Sequence, residues 1–315
     1  ARNDPAGALV PLAQVWSNGL LLYVVAAWTA KRVYRTAYDR TAGGGRGKKV
    51  YGASWLDRVM GGLVFYLSPQ TRTLVVKDFR TFRRDPTQWA VLIIFGLLMM
   101  IGATNMRQTY TAGLATMDRY AVSLMNLSGT AVLLCAGLSR FVFPLISLEG
   151  RKFWILGLTP VSRDQLLWGK FVFAATGALV VGEVLVLLSD AVIGLPAEGV
   201  ALHAAVMAVV AVGLSGLNVG LGAYLPNFRE TDPSKIVVGF GGTVNMVAGL
   251  GFIVLVIGAM AVPLHTAQLA RAAAGGEKAI SPWVYAGVPV GLLAGAAAVI
   301  LPLRAGARSL RAMEF

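Results

Sequence analysis

The chain has 315 residues, 56% of them hydrophobic and 14% charged, with a net charge of +13. A soluble domain carries roughly 25% charged residues, so the composition excludes an ordinary soluble enzyme and points to an integral membrane protein. One cysteine, Cys135, excludes an intramolecular disulfide, and two distant histidines leave no Cys/His metal spacing.

A helix needs about 20 apolar residues to cross the hydrocarbon core. Seven stretches meet that length: 9–30, 88–106, 120–143, 171–194, 199–224, 236–262 and 283–303. Lysine and arginine divide 23 to 5 between the two sides, the larger share lying in 31–87 and on the loops of the same side. The positive-inside bias makes that side cytoplasmic and accounts for the basic charge without nucleic acid. The predicted fold is therefore all-α, a multi-pass transmembrane bundle of about seven spans, with residue 1 outside and residue 315 inside. An external start without a signal peptide predicts further spans upstream. Three parts follow: a first span over 1–30, a basic linker with an interfacial helix over 31–69, and a six-span core over 70–315.

Residues 39–49, DRTAGGGRGKK, invite a phosphate-loop reading. Ala42 stands where a Walker A pattern needs its first glycine, and Lys49 where it needs Ser or Thr, so a solvated basic loop is expected. Further on, Val75, Val76, Phe79 and Phe82 share one helix face, while Lys77, Arg80, Arg83 and Arg84 take the other. That pattern predicts an amphipathic helix lying flat in the headgroup region, ended by Asp85-Pro86.

Residues 147–170, SLEGRKFWILGLTPVSRDQLLWGK, are too polar to cross a bilayer and too patterned for slack linker. Thr159-Pro160 breaks the stretch, and Ser162 with Gln165 forms a capping-box pattern, so two short surface helices are predicted. In the spans, Glu183 is a carboxylate at a costly depth and a functional candidate. Asn126, Asn218 and Asn245 read mainly as interhelical hydrogen-bonding groups. Gly216 with Gly220, and Gly287 with Gly291 and Gly295, are spaced for close helix packing. The turn over 224–235 carries Pro226, Asn227 and Phe228, and Asp232-Pro233 opens the next helix.

This order of parts resembles the permease subunit of ABC-2 type exporters, in a bacterial branch of ABC exporters. Glu149, Gly150, Arg151, Phe153, Trp154 and Leu156 fit an E-G-R-x-F-W-x-L motif, followed by Pro160-Val161-Ser162 and Trp168-Gly169-Lys170-Phe171. Pro226, Asn227, Phe228, Pro233, Lys235 and Ile236 fit a second run. The resemblance covers about 70–310. It implies that 74–85 is an elbow helix and that 147–170 is a coupling helix pair. Phe153, Trp154 and Leu156 would then enter a groove on an ATPase, with Glu149, Arg151 and Arg163 as rim ion pairs. It further implies a separate ABC-type ATPase that holds ATP and Mg, no cofactor on this chain, and a second permease half or a homodimer in contact with membrane lipids. Two other classes remain open on the residues: a secondary transporter driven by an ion gradient, and a non-transporting membrane scaffold.

Overall fold

The computed structural model describes residues 5–42, 55–84, 119–150, 162–230, 232–273 and 282–312, with scattered positions in 93–104. Among them every regular element is helical and there is no strand. The chain divides into two compact units, 1–54 and 55–315.

Among its described residues the first unit holds one helix, α1 (Pro5–Ala42). Leu20, Leu21, Leu22 and Val24 are exposed along it. The Thr29 hydroxyl donates to the Val25 carbonyl at 2.7 Å, and the Arg32 guanidinium lies 4.7 Å from the Trp28 ring. Gln14, Ser17 and Asn18 interrupt its apolar run.

The second unit begins with α2 (Trp55–Leu63) and α3 (Pro69–Arg84), followed by α4 (Arg119–Phe141) and α5 (Leu145–Glu149). Then come the long helices α6 (Arg163–Ile193) and α7 (Ala197–Tyr224). After them lie α8 (Pro233–Val238), α9 (Phe240–Met260), α10 (Val262–Ala273), a 3-10 turn (Pro282–Ala286) and α11 (Gly287–Ala312). Among the described residues five stretches are long and apolar enough to cross a membrane: Tyr120–Glu149, Arg163–Ile193, Ala197–Tyr224, Phe240–Met260 and Trp283–Ala312. The all-helical membrane character thus stands, with five helical stretches of spanning length among the described residues where about seven spans were expected. The stretch 9–30 falls in α1, outside these five, and 88–106 is described only in part.

Local chemistry explains the helix ends. The Ser162 hydroxyl accepts from the Gln165 N–H at 3.1 Å, and Gln165 Oε1 accepts from the Ser162 N–H at 2.9 Å, so both arms of the capping box form. No proline interrupts the chain from there to Gly194, whose φ of 74° closes α6 in the left-handed region. The second expected surface helix is therefore the opening of a 31-residue helix. At about 1.5 Å per residue α6 measures roughly 46 Å, well beyond a hydrocarbon core of about 30 Å. Asp232 caps α8, its carboxylate accepting from the Ser234 N–H at 2.9 Å with Pro233 in the first turn. Gly239 then separates α8 from α9, splitting the stretch 236–262.

At the centre lies α7, where Val206, Met207, Val210, Ala211 and Leu214 are fully buried. It meets α11 through glycine: a Cβ at Gly216 would sit 2.6 Å from the Val299 Cα, and one at Gly220 would strike the backbone of Pro302. Close approach at these two positions is what the absent side chains allow. On α11, Gly291 faces Met260 and Gly295 faces Val209, so the glycine ladder serves two neighbours.

Candidate functional site

The Lys/Arg-rich end of the bundle is built on α3. Its buried stripe is Thr71, Val75 and Asp78, at i, i+4 and i+7. Val75 lies in that stripe, while Val76, Phe79 and Phe82 are half-buried. The Phe82 ring meets Phe141 and Phe173 edge to face, with centroids 6.4 and 6.3 Å away. Arg80 is half-exposed, and Arg83 and Arg84 are exposed. On α6, Gly169 faces Thr71 and Leu74 of α3 at ordinary contact distance, beside the following residue, Lys170.

Lys170 is one of the largest fully buried side chains of the protein, at 2% exposure. Its Nζ donates to Asp78 Oδ1 at 3.0 Å and to Glu149 Oε1 at 2.7 Å. Lys77 Nζ donates to the same Glu149 oxygen at 2.7 Å and lies 3.5 Å from Asp78. Two ammonium and two carboxylate groups from α3, α5 and α6 thus neutralise one another, the condition under which charge is tolerated in a dry interior. Burial alone would lower the Lys77 pKa, but Asp78 and Glu149 outweigh it and hold the ammonium above its ordinary value.

The turn after α7 docks beside this cluster. The Asn227 N–H donates to Ser147 Oγ at 3.0 Å, and Asn227 Oδ1 accepts from the Arg229 N–H at 3.2 Å. The Phe228 ring packs onto Gly150 where a Cβ would stand. Pro226 opens that turn just past the end of α7. Arg163 Nη1 donates to the carbonyls of Leu310 and Arg311 at 2.6 and 3.1 Å, satisfying the end of α11, and Arg311 Nε donates to Asp164 at 3.0 Å. Of the residues expected to grip an ATPase, Glu149, Gly150, Ser162 and Arg163 therefore all hold parts of this chain together. Arg151, Phe153, Trp154, Leu156 and Pro160 lie outside the described residues.

Midway along the bundle, Asn245 Nδ2 donates to Ser139 Oγ at 3.0 Å and to Asn218 Oδ1 at 2.8 Å, joining α4, α7 and α9. Asn126 is buried elsewhere, its backbone carbonyl accepting from the Thr130 hydroxyl at 2.9 Å. Glu183 is half-buried on α6, beside the exposed side chains of Val180 and Val184.

A second charged centre occupies the other end of α6, 20 residues or roughly 30 Å beyond Lys170. Asp190 on α6 contacts His203 Nδ1 on α7 through both oxygens, at 3.0 and 2.9 Å. His203 Nε2 lies 3.1 Å from His265 Nε2 on α10, and Ser123 Oγ on α4 is 3.3 Å from the same His265 nitrogen. All four side chains are buried, none above 2% exposure. Among the described residues no group of three or more His, Cys, Asp or Glu is placed to hold a metal ion.

Asp78 and this second centre are what reading the sequence missed. A lone acidic residue within a basic helix was a signal for the first. For the second, Asp190 and His203 flank the Pro196 turn, but His265 lies 62 residues further on and nothing in the pattern joins it to them.

The family whose pattern matches the chain is described as "Putative ATP-binding cassette", and the match runs over residues 1–315. No curated protein matches the chain. The match overturns the resemblance to the permease subunit of an ABC-2 type exporter. It also overturns the function taken from that resemblance, the permease subunit of an ATP-driven exporter. Arginine beside aromatic residues at a membrane border is common chemistry, so motifs of that kind do not single out one family. A relation to ABC transport and a set of membrane-length helices occur together in this chain.

Proposed function

As the chain belongs to this ATP-binding cassette family, we propose that it is a membrane-embedded component of an ABC transport system that does not itself hydrolyse ATP. Nucleotide and Mg would be held by a separate ATPase polypeptide recruited to the Lys/Arg-rich end, on the cytoplasmic side of a bacterial inner membrane. The observation that carries this reading is the ion cluster of Lys77, Asp78, Glu149 and Lys170. It fastens α3 and α5 to the start of α6, while Arg163 clamps the end of α11 to the same helix. A membrane bundle with one end tied in this way offers a soluble partner a firm base. The basic surface of α3 supports a place in an anionic cytoplasmic leaflet.

The experiment is removal of peripheral protein from native membranes containing the full chain, followed by reconstitution into lipid nanodiscs. The reading predicts that ATP hydrolysis leaves with the stripped fraction and returns when that fraction is added back. Hydrolysis remaining with the stripped, folded chain would overturn it.

A further inference from the structure

The hydrogen atoms at the second charged centre can be counted. His265 Nδ1 faces the Ala261 carbonyl at 2.9 Å. A carbonyl only accepts, so this nitrogen carries a proton, and in a neutral ring His265 Nε2 is then bare. His203 Nδ1 faces the Asp190 carboxylate, so it too is the protonated nitrogen of a neutral ring, and its Nε2 is also bare. Two lone pairs would then point at each other across 3.1 Å. The rings are stacked with an offset, their planes within 9° of parallel and their centroids 5.0 Å apart, and the two Nε2 atoms are nearer than the centroids. This contact is a hydrogen bond only if one further proton is present. It can sit on either Nε2, or on Asp190 with His203 in its other tautomer. Wherever it sits, the centre then has zero net charge. Without it, one negative charge is buried at positions no more than 2% exposed.

We propose that Asp190, His203 and His265 form a buried proton-binding site whose single exchangeable proton fastens α10 to the hairpin of α6 and α7. Among the described residues, the other groups that face it are Tyr120, whose ring centroid is 6.1 Å from that of His265, and Ser123, both on α4. Glu198 on α7 is engaged by the Tyr285 hydroxyl of the 3-10 turn, and Arg271 stands further along α10. The α9 helix contributes no charged residue. Loss of the proton sets the two Nε2 lone pairs against each other and releases α10. Ser123, whose hydroxyl otherwise donates to the Tyr120 carbonyl at 3.0 Å, then takes over as donor to His265 Nε2.

The sequence contains two histidines, so every signal from histidine labelled with 15N reports on this site. In nanodiscs at neutral pH, NMR of the full chain is expected to show a proton on the axis between the two Nε2 atoms and a protonated Nδ1 on His265. Raising the pH removes that proton in one step. In Asp190→Asn the site binds the proton more weakly, by on the order of tenfold or more, because the neutralising carboxylate is gone. Two neutral rings with bare Nε2 atoms at neutral pH would overturn the proposal. So would Nε2 signals that move on adding Zn2+ or Cu+, which would assign the pair to a metal, or a titration unchanged in Asp190→Asn. If that variant does not fold, the wild-type spectrum decides alone.

Discussion

Lys170 shows how one residue sets the character of a whole end of the protein. Its ammonium is buried and bonded to two carboxylates from different helices, so its removal leaves Asp78 and Glu149 short of a cation where water cannot compensate. Lys170→Met is expected to cost roughly 3–5 kcal/mol, the usual penalty for breaking a buried ion pair from one side. Asp78→Asn in the same chain should restore part of that loss, since the two changes act on one contact. Unfolding of the four members of this mutant cycle in mixed detergent would measure the coupling, and strictly additive effects would show that the pair does not interact. Lys77, at 43% exposure, matters less, because solvent screens it. At this scale the sequence was partly legible. Lys77 and Glu149 were both candidates, for separate reasons, and the structure joins them. The link through Asp78 was hidden because a helical wheel scores a carboxylate as surface until its partner on another helix is known.

Among the elements, periodicity and caps were the readable features. The capping box at Ser162 and the proline-led start at Asp232 lie where their residues place them. What the helices do after starting was less legible, because α6 absorbs a segment whose charges read as surface while its partners bury them. Glycine spacing on α7 and α11 gave correct packing positions, and it makes a directional prediction. Gly220→Ala places a methyl group against the Pro302 backbone, which cannot turn aside as a side chain can, so a loss of about 1–3 kcal/mol is expected. Gly177→Ala on α6 meets open space and should change stability by no more than about 1 kcal/mol, in the stabilising direction given by helix propensity. Thermal unfolding of the two variants side by side checks the ordering, and equal effects would mean that α7 and α11 do not approach so closely.

Over the whole molecule, α6 links two neutralised charge centres, one at each end of a helix longer than a bilayer core is thick. The lysine-centred cluster ties α3 and α5 down, and the histidine-centred one ties α7 and α10. Composition alone was enough to establish a membrane protein, because burying this much apolar surface has few other solutions. The family was not legible from short aromatic and basic motifs, since membrane borders favour the same residues in unrelated chains. Family membership and fold together pose a specific question: the family is described by ATP binding, whereas the described residues form helices without a strand. A nucleotide held by another polypeptide would reconcile the two. Calorimetric titration of Mg-ATP into the purified full chain in nanodiscs tests this most directly. No saturable binding is predicted; a stoichiometric binding isotherm from the chain alone would contradict the account.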